Sequence, residues 1–151
     1  MPEIVNRTEI AASPERVYAV AREVERFPDF MPEVESIRVV ARSADGTEQV
    51  VEWVGLIPKF GLKVRWTEED RWDDAALTCD FVQVKGDFKV YRGRWRFLPA
   101  GEGTQFESVV EYEIEIPLVG PLIQGVIKKT MHENVQRLQE ALKQRVEAAA
   151  P

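Results

Sequence analysis

Cysteine and histidine are almost missing: the 151-residue chain holds Cys79 and His132 and no other residue of either kind. A lone cysteine excludes an intramolecular disulfide and any cysteine-clustered zinc or iron–sulfur site. A lone histidine leaves no His-rich metal site and no imidazole network for a nucleophilic triad. Neither a metal nor a cofactor is expected. Long apolar runs are missing too, since charge interrupts every stretch well short of the roughly 20 residues that span a bilayer. Residues 1 to 20 carry acids from Glu3 onward and lack a basic start, an apolar run and a small-residue cleavage site. No secretory signal is visible, and the cytoplasm is the expected location. Positive charge is in deficit, with 20 Lys and Arg against 26 Asp and Glu, a net charge of −6. That balance disfavours binding driven by nucleic-acid phosphates or anionic membranes.

What is present is an ordinary globular composition, 44% hydrophobic and 30% charged, with 9 Gly and 9 Pro scattered along the chain. A chain of this length supports one core, and with no repeat or linker in view residues 1–151 are expected to form one domain. Glu3 to Ile10 alternate as a first strand. Ser13-Pro14-Glu15 supplies a cap, a first-position proline and a first-turn acid, the start of a helix with Val17, Val20, Ala21 and Val24 on one face. That helix must end before Pro28, and Phe27 to Pro32 read as a short helical turn folding back. Alternation punctuated by turn residues predicts strands near 34–43, 47–56, 61–72, 76–86, 88–98 and 104–116, antiparallel because the turns have hairpin length. After Pro117 the apolar residues recur at three- and four-residue steps, from Leu118 to Val146, as one long amphipathic helix. Gly120, Pro121 and Gly125 weaken its first turns. Helices segregated from an antiparallel sheet define an α+β fold.

Three stretches resemble the START-like superfamily, in particular its polyketide cyclase/dehydrase and coenzyme Q-binding branch. The first runs from Glu25 to Val34, with the pattern Phe27-Pro28-Asp29-Phe30-Met31-Pro32; the second is Gly86-Asp87-Phe88 with Trp95-Arg96-Phe97; the third is the strand Phe106 to Ile116 leading through a proline into the final helix. The resemblance implies a helix-grip fold, a curved antiparallel sheet wrapped around the long helix with two short helices after the first strand. It also implies a cavity between sheet and helix. The coenzyme Q branch usually places a Trp after the second signature proline, where this chain has Glu33-Val34.

Within that frame, Trp53, Trp66, Tyr91, Trp95, Phe106, Val110 and Tyr112 form an inward row. The long helix answers with Leu122, Val126, Ile127 and Met131. Periodicity alone does not separate a filled core from a lined cavity; the resemblance implies the cavity, with an apolar ligand against these residues. Phe27, Phe30 and Met31, with Ile57 and Phe60 on the hairpin Leu56 to Gly61, read as its rim or as local packing. An apolar rim suits transient contact with a membrane surface. Along one predicted strand Trp66, Glu68, Asp70 and Trp72 share a face. Either the two acids are polar anchors in the pocket, or a bulge turns them to solvent, the reading favoured by the rarity of unpaired buried acids. Arg92, Arg94 and Arg96 oppose Glu107, Glu111, Glu113 and Glu115 as a salt-bridged outer face. His132 lies just off the helix stripe, and Cys79 reads as a small core residue.

The function expected first is non-catalytic binding or transport of a lipid-like molecule, such as an isoprenoid quinone or fatty-acid derivative. Two alternatives stand behind it. One is a toxin-like member acting on a ribosome or protein partner, which the net negative charge opposes. The other is a polyketide aromatase/cyclase using Glu68 or Asp70, although no catalytic residue is assigned.

Overall fold

The structure is a computed structural model and describes residues 3–57, 61–114 and 120–148. It is built from β1 (Glu3–Ile10), α1 (Pro14–Ala21), a 3-10 turn (Val24–Asp29), β2 (Val34–Arg42), β3 (Glu48–Ile57), β4 (Leu62–Asp73), β5 (Thr78–Gly86), β6 (Phe88–Ala100), β7 (Gly103–Ile114) and α2 (Pro121–Ala148). Ser13 caps α1, its hydroxyl accepting from the Arg16 amide at 3.3 Å. The helix stops at Ala21, earlier than Pro28 requires, and a tighter turn follows. Val24 and Phe27, three residues apart, share one face of that 3-10 turn and are both buried.

The strands form a single antiparallel sheet in the order β1-β7-β6-β5-β4-β3-β2. Six are joined in sequence by short turns, and β1 closes on the far side of β7. One helix reveals how far this sheet bends. The Gln139 amide donates to the carbonyls of Asn6 in β1 and Phe106 in β7, while Asn134 donates to the carbonyl of Leu56 in β3. In a flat sheet β1 and β3 would lie five strand spacings apart, about 24 Å. The two helical residues that reach them are separated by only about 7.5 Å along the axis. The sheet is therefore wrapped around α2 without closing, the helix-grip arrangement.

Gly93 is one of the places where the bend is made. A Cβ there would meet the Val109 carbonyl oxygen at 2.2 Å and the Phe81 ring at 2.6 Å. The outer face carries the charge rows. Arg92 pairs with Glu111 at 3.1 Å, Arg96 and Arg7 both pair with Glu107 at 2.9 Å, and Arg94 pairs with Asp80. The exposed pairs contribute only about 0.2–1 kcal/mol each, while Glu107 is buried beneath its two arginines.

Candidate ligand-binding site

The strand register determines what enters the concave face. One row across the sheet reads Gln49, Asp70, Phe81, Gly93, Val110 and Ile4. Trp53 stands opposite Trp66 in the β3–β4 pair, and their rings stack at 5.4 Å with an interplanar angle of 10°. Trp66 also meets the rings of Phe88 and Tyr91, at 5.4 and 5.2 Å. Trp72 and Phe81 reach Trp95 at 6.4 and 5.9 Å. From α2 come Met131, Asn134, Val135 and Leu138, spaced i, i+3, i+4 and i+7 on one helix face. Together they line a partly open cavity of about 100 Å³, and all four tryptophans of the chain contribute to its wall.

Glu68 and Asp70 belong to this lining, and each is 4% exposed. A bulge is present beside them, between Thr67 and Glu68 in the β4–β5 register. Its extra residue lies in β5, where Lys85 and Gln83 pair with adjacent β4 residues and Val84 is skipped. The period of two in β4 is undisturbed, so both acids face inward with Trp66 and Trp72. This overrides the expectation that they would meet solvent.

The Trp66 indole donates to Glu68 Oε1 at 2.8 Å, and the Gln49 side-chain amide donates to Asp70 Oδ2 at 3.2 Å. Burial, reinforced by the neighbouring Asp70 charge, holds the Glu68 carboxyl well above the usual carboxylate range. Burial also raises Asp70, against the lowering effect of its bonds to Glu68 and Gln49. Both carboxyls thus resist ionisation, Glu68 with the Asp70 charge added to its burial. The other titratable groups on the cavity wall follow the same logic. Burial, then the two acids, pushes the Tyr91 hydroxyl up, and burial with Asp70 and Glu68 pushes up the Cys79 thiol. Glu33 is the third acid of the lining and pairs with Arg137 at 3.7 Å. Among the described residues the wall contains no Lys, Arg or His. Four buried polar atoms of lining side chains have no partner: Trp53 Nε1, Trp72 Nε1, Asp70 Oδ1 and Asn134 Oδ1.

Of the residues singled out from sequence, Trp53, Trp66, Tyr91, Trp95, Met131, Met31, Ile57, Glu68 and Asp70 are brought together on the cavity wall. Phe106, Val110 and Tyr112 are buried but belong to the filled core, where Phe106 packs on Phe97 at 4.8 Å. Leu122 does not face the cavity. It is 82% exposed, because α2 is buried against the core only from Ile127 onward, and Val126 is half-buried outside the lining. Phe27 is not a rim residue: it is fully buried, 6.0 Å from Trp53 and 6.2 Å from Trp95. Phe30 packs on Phe27 and lies under the Arg145 guanidinium, while Phe60 lies outside the described residues. Trp72, Phe81, Phe88, Asn134 and Leu138 complete the wall without having been singled out as site residues. Trp72 was legible as the next inward position after Asp70, and Phe81 as the alternate of Cys79.

With the wrapped sheet, the long helix and the cavity between them established, comparison with known proteins defines the class. The family model described as polyketide cyclase / dehydrase and lipid transport matches residues 10–142. The chain belongs to that family. A solved structure from Thermus thermophilus, TTHA0849, is 43% identical over 99% of this chain and 100% of its own, with a TM-score of 0.91. A START superfamily protein from Mycobacterium smegmatis is 24% identical over 98% and 99% of the two chains, with a TM-score of 0.82. The aromatase/cyclase ZhuI from Streptomyces sp. R1128 is 17% identical over 99% of each chain, with a TM-score of 0.75. The latter two likenesses are of fold. No curated protein matches the chain in sequence.

Proposed function

We propose that this protein binds, without catalysing a reaction on it, a small hydrophobic molecule in the cavity between β3–β6 and α2. The observation that carries the reading is the cavity itself, walled by four tryptophans and closed by Met131, Val135 and Leu138 of α2. Ligand sites are concave and mostly apolar with a few placed polar groups, and this wall has that composition. The family's description as including lipid transport supports the same reading. Size narrows it. A cavity of about 150 Å³ holds a benzene ring, so the space of about 100 Å³ here takes a single ring only with a small outward movement of its wall. An isoprenoid quinone or an acyl chain needs the wall around Met31, Leu56 and Ile57 to move outward. Exposed Leu122 and Ile123 on the first turn of α2 support transient contact with an apolar or membrane surface during uptake.

Native mass spectrometry of the purified protein, with organic extraction, tests the proposal. A 1:1 apolar adduct is expected on the wild type and its loss on Leu138→Trp, which fills the cavity. Equal uptake by both proteins would place the ligand elsewhere.

The buried pair Glu68–Asp70 favours a second reading, proton transfer to or from a bound carbonyl compound, since burial raises the Glu68 carboxyl toward the range of a general acid. Under that reading Glu68→Gln binds substrate and fails to turn it over. The ribosome-directed alternative gains nothing from the structure. The basic row of β6 is matched by acids at Lys89–Glu113, Arg92–Glu111, Arg94–Asp80 and Arg96–Glu107.

A further inference from the structure

We infer that the cavity is a site for a compact organic cation, a single ring bearing an ammonium group that bonds to Asp70 and sits among the surrounding π faces. The inference rests on the ligand-binding reading above and specifies its ligand class.

The first argument is charge. Three acids line the described wall and no base does. Glu33 has Arg137. Glu68 and Asp70 have only neutral donors, the Trp66 indole and the Gln49 amide. An acid pair buried without a cation destabilises the fold that holds it, because each ionised form loses its hydration. Burial disfavours two charges side by side, and a pair ionised once is neutralised by one ammonium. Arg22, a cation near this region, is occupied elsewhere: it binds Asp74 at 2.9 Å and lies over the Trp72 ring at 5.6 Å.

The second argument is the unmade bond. Asp70 Oδ1 is a buried acceptor without a donor, and Asn134 Oδ1 is another. Acceptors call for a ligand that donates, and an ammonium donates up to three times. A hydrocarbon tail would leave both unsatisfied, and a carboxylate would be repelled by the pair. The unpaired indole N–H groups of Trp53 and Trp72 add room for an acceptor oxygen on the same ring.

The third argument is the wall. Trp53, Trp66, Phe81, Phe88, Tyr91 and Trp95 present aromatic rings to the space. Ring faces attract ammonium groups, more strongly when water is excluded. Acid and rings together recognise a cation where either alone would recognise less.

Three probes with one ring and different heads separate the possibilities: benzylamine, benzyl alcohol and toluene. Each is titrated at pH 7 into the wild type, Asp70→Asn and Glu69→Gln, following tryptophan fluorescence and the indole N–H resonances. Benzylamine is expected to bind wild type at least tenfold more tightly than benzyl alcohol. Asp70→Asn should lose that preference while still binding toluene, which shows the cavity intact. Glu69→Gln removes the same charge from the exposed face of β4 and should retain the preference. Equal binding of amine and alcohol, or an undiminished preference in Asp70→Asn, overturns the cation and leaves the cavity reading standing. Failure of all three probes to bind overturns both.

Discussion

Replacing Glu68 with glutamine imitates the protonated acid and removes one titration from the buried pair. The glutamine carbonyl can still accept from the Trp66 indole, which now donates to Glu68 Oε1 at 2.8 Å. Its amide can donate to Asp70 Oδ1, which has no other partner. The ordinary value for a glutamate in this setting is 4.5, and burial with the Asp70 charge raises Glu68 well above it. The folded protein therefore binds more protons than the unfolded chain at pH values above about 4.5. Wild-type stability must fall as pH rises through that window and level off above the folded-state titration. For one proton the slope approaches about 1.4 kcal/mol per pH unit. Urea unfolding of both proteins at pH 5, 6, 7 and 8 measures it. The two should be close at pH 5, and the variant should gain on the wild type by up to about 1.4 kcal/mol for each unit above that. Glu107 and Glu147, held low by Arg96 and Arg7 and by Lys143, titrate below this range and cancel in the difference. Parallel stability curves from pH 5 to 8, or a variant that loses ground as pH rises, would refute the claim that the acid is buried and proton-retaining.

Phe27→Ala empties a fully buried site between Trp53, Trp95 and Phe30; a loss of about 3–5 kcal/mol is expected in urea unfolding, and a loss under 1 would return Phe27 to a mobile rim. Gly93→Ala places a methyl group against the Val109 carbonyl at 2.2 Å and the Phe81 ring at 2.6 Å. Overpacking of this kind costs about 1–3 kcal/mol, read as a lowered Tm together with displaced Phe81 ring resonances. Val126→Trp, outside the lining, should leave ligand uptake unchanged where Leu138→Trp abolishes it, and the reverse order would move the cavity toward the start of α2.

Element order and face were legible in the sequence because both come from short-range periodicity. All seven strands and the long helix fall where alternation and three–four spacing place them, with β4 expected at 61–72 and found at Leu62–Asp73. What periodicity does not carry is depth. Phe106 and Trp95 share the concave side and their rings meet at 5.4 Å, yet only Trp95 borders the cavity, because α2 packs on β1, with Gln139 bonded to the Phe106 carbonyl beside it, and leaves room against β3–β6. Leu122 continues the apolar stripe of α2 in sequence and is exposed in space, since a stripe states which side of a helix is apolar and not how far the sheet extends beneath it. The short helical turn at Phe27 was legible but the depth of Phe27 was not, because a 3-10 turn buries every third residue as effectively as a helix buries every fourth.

Glu68 and Asp70 show where two sound rules conflict and which one governs. Alternation placed them inside with Trp66 and Trp72, while desolvation argued for water, and the register decided for alternation. A strand without a bulge of its own cannot turn two alternate residues outward without turning Trp66 and Trp72 outward with them, which would forfeit about 1.5–3 kcal/mol of apolar burial or more for each ring. The acids are carried in by their neighbours, and burial makes both harder to ionise. Packing alone would be served better by two apolar side chains at those positions. The departure from local consistency thus coincides with the cavity, and such departures are expected where a chain has been shaped by what it binds.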